Sequence, residues 1–139
     1  MKIHAKITME GLTFEAKRTT ISASDAMIKK IEKTFKALGD LNRLKIINML
    51  SSKALCVCEM TAILKISQST VSGHLRVLKE AGLVEDTKDG LWVEYRLCQN
   101  NAFSTGILHL IAQELKADEK MSAERELADQ ANREVLCKK

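Results

Sequence analysis

Proline is missing altogether, and Phe, Trp and Tyr together make up 4% of the 139 residues. With no proline, no helix is broken by a lost amide donor or a ring clash. Few aromatics and no proline together suit a mostly helical fold. No run approaches the ~18 consecutive apolar residues that a membrane span needs, so no membrane partner is expected. Lys2, His4 and Lys6 interrupt any apolar stretch at the N-terminus, which denies it a signal-peptide layout and leads us to expect a cytoplasmic protein. There is no Ser/His/Asp set, no glycine-rich phosphate loop and no two-histidine metal motif. Cys56 has no evident base to make it a nucleophile. An enzyme is therefore not expected, nor an organic cofactor.

What remains is enough for one domain with a real core: 45% of the residues are hydrophobic. The net charge of +4 fits a nucleic-acid partner without demanding one. The four cysteines are irregularly spaced. In a cytosolic chain this argues for free thiols or metal ligands rather than a disulfide frame.

Along the chain, residues 2–17 alternate loosely, with Glu10-Gly11 able to turn them, and read as a β-hairpin or an arm. Ser24 can cap a helix to Leu38, with Met27 or Ile28, Ile31, Phe35 and Leu38 on its apolar stripe. Gly39 ends that helix and Asp40 caps the next, where Leu44, Ile47 and Leu50 share a face. Residues 54–58 read as extended and 59–64 as a short helix. A turn at Lys65-Ile66-Ser67 follows. Ser67 then caps a longer helix over 68–81, closed by Gly82. Asp89-Gly90 between residues 83–88 and 91–97 is a strong hairpin signal. Phe103, Ile107, Leu110 or Ile111 and Leu115 place a helix over 101–116. Ala123, Leu127, Ala131 and Val135 step by four in a charged tail.

A short helix, a turn, a longer helix and a hairpin make a winged helix-turn-helix. Helical geometry puts Val71, Leu75 and Leu78 on the core side of the longer helix. Ser69, Ser72, Gly73 and Arg76 lie opposite, with Gln68 at the N-terminal end, where a recognition helix meets base edges. Gln can pair with an adenine edge, and Arg with guanine or phosphate. Lys88, at the hairpin tip, can reach phosphate. The bland alternative for this helix alone, a solvated amphipathic face, is equally good; the elements on either side of it favour DNA.

Directly before this pattern stands Leu55-Cys56-Val57-Cys58-Glu59. Residues i and i+2 point ~200° apart on a helix but to the same side of an extended segment. Two thiols at a strand-to-helix junction can hold one soft ion, arsenite, antimonite, cadmium, lead or zinc, and so constrain the start of the short helix. Both can instead be small packing residues. Cys98 follows the wing and reads as buried packing. Cys137 lies near what reads as a mobile end. A disulfide between Cys56 and Cys58 is too short-range to be easy, so redox sensing would need Cys137 to pair with one of them.

The Cys-x-Cys run, Phe35-Lys36-Ala37-Leu38-Gly39-Asp40, Arg43-Leu44-Lys45-Ile46-Ile47, the Ser-x-His-Leu step at Ser72 to Leu75 and the Gly82-Leu83-Val84 exit resemble the ArsR/SmtB family of winged-helix metalloregulatory repressors. The likeness covers roughly residues 31–97 and is closest to the arsenic- and cadmium-responsive branch. It implies a mainly α, dimeric winged helix with a two-stranded wing, pairing through the helices at 24–38 and 101–116. It implies a repressor that releases double-stranded operator DNA when arsenite, antimonite or another soft metal binds cysteine thiolates. It adds His74 to the DNA contacts. It also marks a departure, because members often carry a third cysteine where this chain has Thr61. Cys137 is then expected to complete the metal set with Cys56 and Cys58, from the partner subunit, with Cys98 as the alternative. The carboxylate/histidine site of related sensors has only His109 in the matching region. A thiol-redox-responsive or ligand-independent repressor remains the other reading. The expected organisation is an arm or hairpin at 1–22, a DNA-binding and dimerisation domain at 23–116, and a helical tail at 117–139.

Gln68→Ala or Ser72→Ala is expected to weaken specific operator binding by ~1–3 kcal/mol per lost base contact, with dimerisation unchanged. Lys88→Ala should weaken all sequences alike and flatten the salt dependence. Gel shifts on specific and scrambled DNA at several salt concentrations check both; wild-type affinity in the two helix variants would remove this helix from the groove.

Overall fold

The computed structural model describes residues 4–9, 12–17 and 22–137, and they fall into two units, Met1–Glu32 and Lys33–Lys139. The first holds an antiparallel pair, β1 (His4–Met9) and β2 (Leu12–Lys17), in register from His4 opposite Lys17 to Met9 opposite Leu12. The Glu10-Gly11 turn lies outside the described residues. Helix α1 (Ala23–Leu38) runs through both units. It starts one residue before the expected cap, Ser24. Ser22, not Ser24, supplies the cap: its Oγ accepts the Asp25 N–H at 3.1 Å, and the Asp25 carboxylate accepts the Ser22 N–H in return.

The second unit is built from the helical and strand signals in turn. Asp40 accepts the Arg43 N–H at 3.0 Å and opens α2 (Leu41–Leu50). A two-residue strand, β3 (Leu55–Cys56), leads straight into α3 (Val57–Leu64). Lys65 takes the left-handed conformation, φ 57°, and stops α3. Ser67 accepts the Thr70 N–H and starts α4 (Gln68–Glu80), and Gly82 ends it at φ +73°. The wing is β4 (Val84–Asp89) against β5 (Trp92–Leu97). Asp89 pairs with Trp92, so the loop is Gly90-Leu91, one residue later than Asp89-Gly90 suggested. Gly90, at φ +61°, sits at the first loop position, where a tight hairpin favours glycine. The hairpin has a companion that the sequence did not announce: β3 pairs antiparallel with β5, giving the order β3-β5-β4.

Three more helices follow, α5 (Ala102–Lys116), α6 (Glu119–Gln130) and α7 (Arg133–Leu136), each opened by an Asn or Asp side chain: Asn101, Asp118 and Asn132. The core gathers Ile46, Ile47 and Met49 of α2, Leu55, Met60 of α3, Val71, Leu75 and Leu78 of α4, and Leu83. The expected core face of α4 is the one found.

The terminal segment is packed against this core. Lys45 pairs with Glu124 at 3.0 Å, Asn48 donates to the Met121 carbonyl at 2.7 Å, and Lys53 donates to the Ala131 carbonyl at 2.7 Å. Ala128 is wholly buried, whereas Leu127 and Val135 are exposed. The stripe Ala123, Leu127, Ala131, Val135 is therefore not the packed face of α6; Met121, Glu124, Arg125 and Ala128 turn inward instead. The helix also breaks before Asn132, which ends any single run through Val135. On α1, Met27, Ile28 and Phe35 are exposed, and on α5, Phe103 and Leu110.

Ala128→Asp should lower unfolding stability by about 3 kcal/mol or more, since it buries an unpaired charge. Leu127→Asp should change it by no more than about 0.5 kcal/mol. Denaturant melts of the two variants decide which face of α6 is packed.

Candidate nucleic-acid interface and thiol site

Helix α4 offers solvent a short-side-chain face. Gln68, Ser69, Ser72 and Arg76 are exposed, and Gly73 is partly covered. A Cβ built on Gly73 would meet nothing within 4 Å, so packing inside this chain does not require glycine there. Lys88 is exposed near the wing tip. The end of α4 is tied to the wing by Lys79 and Asp86 at 2.7 Å, an ion pair that raises the Lys79 pKa.

His74 is placed differently from the expected DNA contact. Its side chain is 15% exposed, with Nδ1 3.5 Å from Arg43 Nη1 and 3.9 Å from Asp40 Oδ1. Arg43 in turn donates to the Ala37 carbonyl at 2.6 Å. The Arg43 backbone N–H, with the Arg43 and His74 side chains beside it, holds Asp40 below the usual carboxylate range. His74 thus braces α4 against the start of α2. Sequence reasoning missed this brace; Arg43 stood in a family-like run, but nothing in that run points to His74, 31 residues on.

The two cysteines of the Cys-x-Cys run do not share an extended segment. Cys56 ends β3 with extended backbone, and Cys58 already lies in α3. Cys56 is buried; its N–H donates to Glu59 Oε1 at 2.8 Å, and Glu59 is itself buried. Burial pushes the Cys56 thiol pKa up, and the hydrogen bond from Arg133 Nη1, 3.9 Å from Sγ, works against that. Cys58 is joined to Cys137 by a disulfide, with their Cα atoms 5.4 Å apart across 79 residues of chain. This corrects two expectations. The cysteines are not all free thiols, and Cys137 meets Cys58 within its own chain rather than from a partner. The reason is α6: once that helix docks on α2, the chain has only α7 left, and α7 packs on α3. Cys98 is buried at the end of the wing, its N–H on the Leu83 carbonyl.

Thr61, one turn after Cys58, has a buried Oγ1 with no hydrogen-bond partner. Among the described residues, no group of three or more His, Cys, Asp or Glu side chains is arranged to hold a metal ion. With Cys58 and Cys137 bonded to each other, that is what the chemistry dictates, because a disulfide sulfur is no thiolate ligand.

A profile of bacterial regulatory proteins of the arsR family matches residues 40–86, from the cap of α2 to the start of the wing. An arsenical resistance operon repressor of Bacillus subtilis is 39% identical over 72 residues, which cover 51% of this chain and 69% of that protein. The chain belongs to the ArsR family. Its described helices and β-wing form the winged helix-turn-helix expected from the sequence. The arsenical resistance operon repressor of Escherichia coli is 48% identical over 64 residues, 45% of this chain and 55% of that one. The match thus spans just over half of the Escherichia coli repressor. The structure of reduced HlyU from Vibrio cholerae superposes with a TM-score of 0.57 at 30% identity, covering 66% of this chain and 94% of HlyU.

Unreduced protein, denatured and titrated with a thiol reagent, should show two thiols, Cys56 and Cys98, and reduced protein four. In the folded, reduced state Cys56 should alkylate more slowly than a free thiol near neutral pH, because burial shields it from the reagent and raises its pKa, which lowers its thiolate fraction. Mass mapping of the labelled peptides checks both.

Proposed function

We propose that this regulator represses transcription by binding operator DNA as a homodimer and releases it when a soft metal or metalloid is taken up by Cys56, Cys58 and Cys137. The observation that carries the reading is the meeting of Cys58 and Cys137 on the first turn of α3, the helix that leads into the recognition helix. The donor chemistry fits once that pair is reduced. Cys58 and Cys137 are already neighbours, and Cys56 is two residues away at the end of β3. Thiolates select thiophilic ions, so arsenite or antimonite is the expected inducer, with cadmium, lead and zinc as the wider class. A bound ion supplies sulfur bonds in place of three thiol protons. Thr61 contributes a neutral hydroxyl, a poor donor for such ions, which is why Cys137 has to complete the set.

On the DNA side, Gln68, Ser69, Ser72, Gly73 and Arg76 present the face that enters a major groove, and Lys88 serves the backbone. His74 acts behind them as the brace on α2. The exposed apolar side chains of α1 and α5 are the surfaces assigned to dimerisation. The names of the Bacillus subtilis and Escherichia coli relatives support the arsenical reading.

The Cys58–Cys137 disulfide favours a second input at the same site. A peroxide can take two electrons from the two thiols, which lose two protons and form the S–S bond while the O–O bond is cleaved to water or alcohol.

In gel shifts, the reduced wild type should release operator on titration with arsenite. Cys58→Ser and Cys137→Ser should bind operator normally but need roughly tenfold or more arsenite. X-ray absorption should count three sulfurs in the wild type and two in Cys137→Ser. Release by both variants at wild-type arsenite removes the pair from the sensing site. Release by peroxide alone selects the redox input, and release by neither leaves a ligand-independent repressor.

A further inference from the structure

Arg133 stands where the thiol site meets the wing. It opens α7, four residues before Cys137. Its Nη1 lies 3.9 Å from Cys56 Sγ and 3.9 Å from Glu94 Oε2. Its Nη2 donates to Asp89 Oδ2 at 2.6 Å, at the last residue before the wing loop. Its guanidinium also lies over the Trp92 ring, 5.8 Å from the centroid. Asp89 and Trp92 face each other across the loop, and Glu94 pairs with Cys56 in the β3–β5 register. One planar fork therefore touches a buried thiol, two carboxylates and an aromatic ring of the wing.

We propose that Arg133 is the positioning residue that couples the thiol site to the wing, so that a change in the chemistry of the cysteines moves the wing tip and alters DNA affinity. The inference deepens the proposed function and rests on its assignment of the cysteines and the wing. Two physical effects act through the same side chain. The fork holds the hairpin tip in one place by contacts on both of its strands. It also neutralises Asp89, one residue from Lys88, where an unpaired carboxylate would repel a phosphate backbone. Each ion pair alone is partly exposed and weak; the combination gives the wing a fixed position. Because Cys137 anchors the end of α7 to Cys58, opening that bond, or turning the thiols toward a different partner, frees the segment that carries Arg133. A lysine could not do the same. It has one point charge where the bridge needs a planar fork reaching both a sulfur and two carboxylates.

The test uses metal-free full-length protein with the Cys58–Cys137 bond closed and two readouts: operator affinity by fluorescence anisotropy, and amide exchange of the wing residues 88–94. Arg133→Met should bind operator roughly threefold to tenfold more weakly and exchange its wing amides faster, with far-UV circular dichroism unchanged. Arg133→Lys should recover part of the affinity and little of the exchange protection. Asp89→Asn, which cuts the bridge at the wing and leaves the tail intact, should speed wing exchange as Arg133→Met does, so the test survives even if the arginine variant folds poorly. In a cycle with Cys56→Ala, the double variant should bind no more weakly than Arg133→Met alone. Wild-type wing exchange in both Arg133→Met and Asp89→Asn, or affinity losses that simply multiply, overturns the coupling. Titration of the reduced protein with arsenite and with peroxide separates this from the functional reading. A wild type that responds to neither overturns the sensing site and leaves the metal-free result to judge Arg133. A wild type and an Arg133→Met that release with the same fold-change overturn the coupling alone.

Discussion

Strand β3 is two residues long, and its pairing with β5 ties the rest of the second unit together. Leu55 lies opposite Tyr95 and Cys56 opposite Glu94. The backbone of Cys56 is thereby fixed in the wing sheet, and its N–H is taken by the buried Glu59 carboxylate as α3 begins. The other end of α3 is fixed by the left-handed Lys65, which sets the angle into α4. Helix α4, the first thiol and the wing therefore hang from a single backbone junction. A force applied at Cys56 or Cys58 acts at once on a helix start and on a sheet edge. A packed junction of this kind passes between discrete arrangements rather than deforming smoothly.

The terminal helices close this junction from outside. Helix α6 spans α2 through Glu124, the Met121 carbonyl and the Ala131 carbonyl, and α7 brings Arg133 to the wing and Cys137 to α3. In the chain-entropy picture, a bond across 79 residues restricts the unfolded chain by about 4 kcal/mol. Reducing it removes that restraint and at the same time releases two soft donors. Stability, tail order and the number of free thiols are thus linked to one bond, which gives the site two distinct chemical states without any change in the exposed side chains of α4.

Local signals made the helix-turn-helix and the wing legible in the sequence. Ser67 as cap, Val71, Leu75 and Leu78 at helical spacing, Gly82 as stop and a glycine-bearing hairpin loop all act over a few residues, and each is found close to where it was expected. The Cys-x-Cys run was legible as chemistry but not as geometry, because a two-residue strand is too short to carry an alternation. Tail packing was misjudged for a different reason. Alanines and charges step by four on more than one face of α6, and small Ala128, not Leu127, is the buried one. The meeting of Cys58 with Cys137, the brace of His74 on Asp40 and Arg43, and the reach of Arg133 to Asp89 are all long-range in sequence. No periodicity announces such contacts; those of Cys137 and Arg133 follow only when α6 is docked.

In the proposed mechanism the inducer acts through the thiols of Cys58 and Cys137. That mechanism is tested most directly by measuring operator affinity as cadmium is added to two samples of the same protein, one with the Cys58–Cys137 bond closed and one with it reduced. The reduced sample is expected to release operator while the closed sample holds it at the same cadmium concentration. Equal release from both samples would contradict the mechanism.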